Sequence, residues 1–322
     1  MGPPALSALT TSAESGQSEA IHDPGLWRII AAVAAIDATW LRLSGLQISV
    51  GPVMGTGFLA LIAFGAVYST VKPDRHLASF AATSTRLAAF NVVAIVLSYL
   101  VASVHFPLVD DTLAATDRAL GFDWLAFFDW TKISNPTIGW ALDLIYDTIV
   151  IQVLVLLIAL GATGQAKRAR EFSRLFAVTL LLIIPLSMLL PAEGAWAHYG
   201  VARLTSAYYL PDFYAIRSGA MHVIDLGHVT GIVQFPSFHA ALGLILILSA
   251  RGTFLFIPYL ALNIVMIASA LTAGGHYLTD VIIGLAMVPA TILILRAGAE
   301  TQKGLRIPLR DTGAIGDSSV SV

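Results

Sequence analysis

Phe235-Pro236-Ser237-Phe238-His239-Ala240 and, forty residues on, Gly275-His276-Tyr277-Leu278-Thr279-Asp280 each stand at the mouth of a strongly apolar segment. An ionisable side chain at the edge of a membrane span costs free energy unless it is paired or used. Two histidines and an aspartate at such edges therefore decide how the chain is read. His276 and Asp280 are spaced i, i+4, which on a helix puts imidazole and carboxylate on one face, one turn apart. A carboxylate so placed holds one ring nitrogen and leaves the other as base or nucleophile. Pro236 suits a first helical turn, where its missing N–H costs little.

Outward from these stretches the composition is that of a membrane protein. The chain is 57% apolar and 12% charged, with a mean hydropathy of +0.80, where soluble domains carry about 25% charged residues. A net charge of −2 gives no basis for a nucleic-acid partner. The absence of cysteine excludes disulfides, thiolate metal sites and cysteine nucleophiles. A span needs about 20 mostly apolar residues, and eight segments qualify or come close: 27–45, 50–71, 87–106, 138–162, 175–194, 237–251, 253–274 and 277–297. The expected fold is an all-α polytopic membrane protein of about eight transmembrane helices. Its transmembrane domain covers 26–298, between disordered cytoplasmic tails over 1–25 and 299–322.

Basic residues set the orientation. Arg28 opens the first span, Lys72, Arg75 and Arg86 lie between spans two and three, and Lys167, Arg168, Arg170 and Arg174 between four and five. Arg251 lies between six and seven, and Arg296, Lys303, Arg306 and Arg310 follow the last. These all fall on one side of an eight-span chain, and a six- or seven-span count breaks the alternation. Both termini are therefore expected in the cytoplasm, and the protein in the plasma (inner) membrane. His239, His276 and Asp280 then reach one depth on the non-cytoplasmic face. The two long outer connections are 107–137 and 195–236. The first carries Asp110, Asp111, Asp117, Asp123 and Asp129 among aromatic residues, read as a solvated surface with Leu120, Trp124, Leu125 and Phe128 on short interfacial helices.

Asp280 would orient His276 and stabilise its imidazolium, while His239 would serve a leaving oxygen. Ser237 and the backbone amides after it could hold anionic oxygens, since a helix N-terminus favours negative charge. A phosphoryl group suits such a site. Pro236-Ser237-Phe238-His239 followed by His276-Tyr277-Leu278-Thr279-Asp280 resembles the type 2 phosphatidic acid phosphatase superfamily of integral membrane phosphatases and phosphotransferases. Phe238 stands where that superfamily usually has glycine, Ala270 where it has arginine, and its Lys-x6-Arg-Pro stretch is absent ahead of Pro236. Those departures resemble the branch containing inositol phosphorylceramide synthase, with its Phe-Pro-Ser-x-His-Ala and His-Tyr-x-x-Asp signatures.

The resemblance implies a six-helix core over about 87–298, with the first two helices as an addition, and chemistry without metal or other cofactor. It makes His276 the nucleophile that becomes phosphorylated, Asp280 its orienting partner and His239 the leaving-group acid. The partner is then a membrane lipid with a phosphate-bearing headgroup, and the acceptor water or a lipid hydroxyl, with a tilt toward inositolphosphotransferase-like transfer. Arg217 is the first candidate to replace the missing phosphate-binding arginine, Arg203 the second, and Tyr277 an accessory contact. Asp143 and Asp147, again i, i+4, are candidates for headgroup recognition or for a counter-charge to Arg217. Asp37 is expected to pair with Arg42, and His198, His222 and His228 to satisfy loop hydrogen bonds. Two other readings compete: a zinc site of His239, His276 and Asp280, and a transporter or lipid flippase whose buried charges line a pathway.

Overall fold

The structure, a computed structural model, describes residues 24–304. Of the tails expected over 1–25 and 299–322, residues 1–23 and 305–322 lie outside the described residues, and residues 299–304 belong to the last helix, which continues to Gly304. In chain order the helices are α1 (Pro24–Ser44), α2 (Pro52–Ala66, extended by a π-helical turn to Val71) and α3 (Arg75–Ala102). Then come α4 (Asp110–Ala119), α5 (Trp124–Phe128), α6 (Pro136–Asp147), α7 (Ile149–Ala162), α8 (Ala166–Leu189), α9 (Ala195–His198) and α10 (Leu210–Arg217). The chain closes with α11 (Phe238–Ala250), α12 (Phe256–Ala273) and α13 (Leu278–Gly304). Two three-residue strands, β1 (Gln47–Ser49) and β2 (Val223–Asp225), pair in parallel, with Ile48 opposite Ile224. The protein is thus an all-α polytopic membrane protein with one minor strand pair.

Each apolar segment read from the sequence is helical. Among the described residues five stretches are long and apolar enough to cross a membrane: Met54–Val71, Arg75–Ala102, Ala166–Leu189, Phe256–Ala273 and Leu278–Gly298. Helices α6 and α7 make a sixth if joined across the 43° bend at Thr148. Helix α11, 13 residues long, falls short by itself. Helix α1 is 21 residues long but includes Arg28, Asp37 and Arg42. Asp37 is buried with neither carboxylate oxygen hydrogen-bonded among the described residues, so the expected pairing with Arg42 does not form.

Local chemistry sets the helix ends. The Asp74 carboxylate accepts from the amides of His76 and Leu77 at the start of α3. Pro52 and Pro136 occupy first turns of α2 and α6. The main core packs α3, α8, α11 and α12 around Phe90, Phe172, Phe176, Leu246 and Met266. Within it Gln152 accepts from Tyr259 Oη (2.6 Å) and from Asn263 Nδ2 (2.7 Å), tying α7 to α12 where a shared polar pair joins helices that gain no hydrophobic drive in lipid.

At the far end a second core forms from the two long connections, with Trp124, Phe128, Trp196, Tyr209, Phe213 and Tyr277 buried. This collar corrects the reading of 107–137 as a solvated surface. Trp124 and Phe128 turn inward, whereas Leu120 and Leu125 remain exposed. Asp110 and Asp117 are buried as well.

Candidate active site

His276 does not sit on a helix. It occupies the loop between α12 and α13, and Asp280 sits in the first turn of α13. The i, i+4 pair meets because the chain folds back, not because the two share a helical face. His276 Nδ1 lies 3.5 Å from Asp280 Oδ2, and both side chains are buried. That distance is longer than an N–H···O bond, and His276 Nδ1 and Asp280 Oδ1 have no other hydrogen-bond partner among the described residues. Burial pushes the His276 imidazole below its ordinary pKa, and a backbone hydrogen bond at Gln234 opposes the shift.

The loop is held from every side. Trp124 Nε1 donates to the carbonyls of His276 (2.9 Å) and Leu271 (3.1 Å), and Trp196 Nε1 to that of Thr272 (3.1 Å). The Ala195 amide donates to Gly275 O at 2.8 Å. Gly275 has φ +70°, and a Cβ there would stand 2.7 Å from Trp196, so only glycine permits this turn. Asp117 caps α13 by accepting from the Leu278 and Thr279 amides (both 2.8 Å) and from Thr279 Oγ1 (2.6 Å). Asp110 accepts from the Glu193 and Gly194 amides and from Tyr277 Oη, each at 3.0 Å.

His239 arrives on the neighbouring element. Ser237 is the N-cap of α11, its Oγ accepting from the Ala240 amide at 3.3 Å. Its own amide donates to the Asp280 carbonyl at 3.1 Å, which joins the two motifs directly. Gly284 makes this approach possible, since a Cβ there would lie 2.2 Å from Ser237 O. The His239 ring stacks on Tyr146, 4.3 Å between centroids and 14° apart in plane. A Cβ on Gly274 would lie 2.6 Å from the Tyr146 hydroxyl and 2.9 Å from His276 Cδ2, so the absence of a side chain there makes room for both.

His239 and His276 line one cavity of about 230 Å³. Its polar wall adds Asn91, Ser98, Tyr146, Tyr208, Thr230 and Gln234, and none of its lining residues is a lysine or arginine. Thr230 is fixed through Tyr99: its amide donates to Tyr99 Oη at 3.1 Å, and Tyr99 Oη donates to Asp212 Oδ2 at 2.5 Å. Partial burial raises the Tyr208 phenol pKa, with Tyr146 opposing. Sequence reasoning singled out none of these as site residues. Single polar residues in apolar stretches, such as Asn91 and Gln234, were the signal available.

The remaining candidates lie elsewhere. Arg217 lies apart from the cavity: its guanidinium donates to the carbonyls of Phe106 (2.8 Å) and Val104 (3.3 Å) and lies 5.5 Å from the centre of the Phe213 ring. Burial lowers its pKa, with Asp110 opposing, and it does not line the cavity. Asp143 pairs with Lys132 on the surface side of α6. Asp147 is exposed, near Tyr146 and Tyr208 but not lining the cavity. Tyr277 is buried in the collar, and burial together with Asp110 raises its pKa and keeps it a donor. Ser237 is buried as a cap rather than open to the cavity. Arg203 is exposed on a short helical turn. His228 pairs with Asp225 at 2.8 Å, and His198 lies 3.8 Å from Asp111. Among the described residues no three His, Cys, Asp or Glu side chains are placed to hold a metal ion, so His239, His276 and Asp280 do not form the zinc set.

Residues 111–294 match the model of the PAP2 superfamily. No curated protein and no solved structure matches the chain. The match covers more than half of the sequence, so the chain belongs to the PAP2 superfamily, and membership supports a membrane enzyme of the lipid phosphatase type acting on lipid phosphates. The matched region begins after α3, which nevertheless lines the cavity through Asn91 and Ser98.

Proposed function

We propose that this PAP2 superfamily member cleaves or transfers a lipid-headgroup phosphoester by double displacement through a phosphohistidine, at the non-cytoplasmic face of the membrane. The observation that carries this reading is the shared cavity: His239 and His276, 37 residues apart in sequence, line one space with Asp280 directly behind His276. A neutral imidazole is the form that attacks phosphorus, and burial favours it. In the first step the P–N bond to His276 forms and the P–O bond to the leaving alcohol breaks, with His239 giving that oxygen a proton. Asp280 steadies the imidazolium that results. In the second step His239 takes a proton from water or from an acceptor hydroxyl. The new P–O bond forms, the P–N bond breaks, and the histidine is regenerated.

The phosphate-holding role moves from Arg217 to the neutral donors of the cavity, among them Tyr146, which stacks on His239. Preorganised neutral dipoles in a site shielded from water can stabilise developing charge. The departures from the usual superfamily stretches incline the reaction toward transfer to a lipid hydroxyl, the inositolphosphotransferase-like outcome. The experiment is incubation of purified protein with a phosphorylated lipid in the presence and absence of a lipid alcohol. Free phosphate marks hydrolysis and a new phospholipid marks transfer. No product in either case, with the lipid intact, rejects the reading.

A further inference from the structure

Below the cavity runs a second space of about 540 Å³ that shares Asn91, Phe238 and His239 with it. Apart from Ser84 and those shared polar residues its lining is apolar. Along α3 the lining extends from Phe80 to Asn91, about 16 Å at the helical rise, or roughly half the thickness of a hydrocarbon core. Val150, Val153 and Leu154 of α7 form the opposite wall. Val150 and Leu154 are also strongly exposed on the outer face of the helix, so the groove opens sideways. Leu61 of α2 closes the third side, and α2 packs against α3.

We propose that this groove holds one hydrocarbon chain of the lipid whose phosphate lies between His239 and His276, and that α2 serves as its outer wall. The proposal rests on the reading of the substrate as a lipid phosphoester. Adjacency selects the occupant: the groove begins where the cavity ends, at Asn91, Phe238 and His239, which line both. Phe238, which stands where the superfamily usually has glycine, lines both spaces and packs edge-on against Phe176 at 5.1 Å. It forms the partition between headgroup and chain. A lipid tail already lies in an apolar medium, so the groove gains packing rather than hydrophobic transfer. Its effect is therefore on placement of the phosphate, a matter of orientation, and gives the added N-terminal helices a part in substrate selection.

The test uses the full-length protein in lipid nanodiscs and a long-chain phosphatidic acid carrying a diazirine near its chain end. Photolabelling is expected on Phe80, Ser84 or Leu157, competed by unlabelled phosphatidic acid and not by the same amount of diacylglycerol. Equal competition by both, or labelling confined to other surfaces, overturns the proposal by showing ordinary bilayer lipid. Ala88→Trp, which fills the groove, and Leu61→Trp, which narrows it from the surface helix, are expected to lower the ratio of long-chain to short-chain kcat/KM by about tenfold or more. A ratio within about twofold of the parent protein in a folded variant also overturns it. Competed labelling in the groove without any turnover keeps the chain site and removes the phosphoesterase reading.

Discussion

The two ends of the substrate region are built on opposite principles. The His276 loop is fastened by two indoles, two buried carboxylates and a glycine turn, so that its backbone has no freedom left. The groove beneath His239 is walled mostly by apolar side chains and open along one flank. Chemistry that depends on sub-ångström placement needs the first kind of construction. A chain that only has to lie alongside a helix needs the second. The His239 wall is intermediate: a capped helix start and a tyrosine stack fix it, and it borders both spaces.

That contrast ranks the expected effects of substitution. The largest belongs to the histidines. His276→Ala should lower turnover by about 10⁴-fold or more, and His239→Ala by about 10²–10⁴-fold, with both variants eluting as folded protein in detergent. Residual turnover within about tenfold of the parent in the first would remove His276 as nucleophile. Next comes the collar. Asp117→Ala leaves two amides and a hydroxyl without their acceptor and should cost about 1–3 kcal/mol. That loss would be read as a lowered melting midpoint together with reduced turnover. An unchanged midpoint would mean the clamp is not what fixes the loop.

The pH profile should separate the two walls further. Burial holds the His276 imidazole below its ordinary value. The neutral, reactive form therefore persists as pH falls past about 6.5 and is lost only when pH drops through the lowered pKa. The acid limb of kcat/KM should lie below the usual histidine range, and a limb at or above 6.5 would contradict a buried nucleophile. The smallest effect belongs to Arg217. Arg217→Ala should change kcat/KM by less than about threefold while loosening the 103–106 turn. A loss of a hundredfold or so would restore the arginine to the phosphate.

The apolar runs were legible as helices, but among the described residues five or six of the eight expected spans, not all, are long and apolar enough to cross a membrane. The convergence of His239, His276 and Asp280 was legible from their places at span mouths, although the expected route, a shared helical face, was not the one used. The collar was misread for a definite reason. Five aspartates near aromatic residues describe a wet surface equally well as a set of caps, and only the fold reveals that Asp110 and Asp117 point at free amides. Arg217 was chosen for its charge and its loop, yet the nearest need for its donors was a pair of backbone carbonyls. The neutral cavity wall is assembled from α3, α6 and the 229–234 strand of loop, each contributing isolated polar residues that no spacing rule connects.

The most direct measurement is trapping in an alkaline denaturing quench with a lipid carrying a radiolabelled phosphate. In His239→Ala, where release is slowed along with attack, and in the parent protein, an acid-labile and base-stable label should appear on the peptide containing His276 and vanish in His276→Asn. Steady turnover in the parent protein with no such label, or a label that survives His276→Asn, would contradict the two-histidine mechanism.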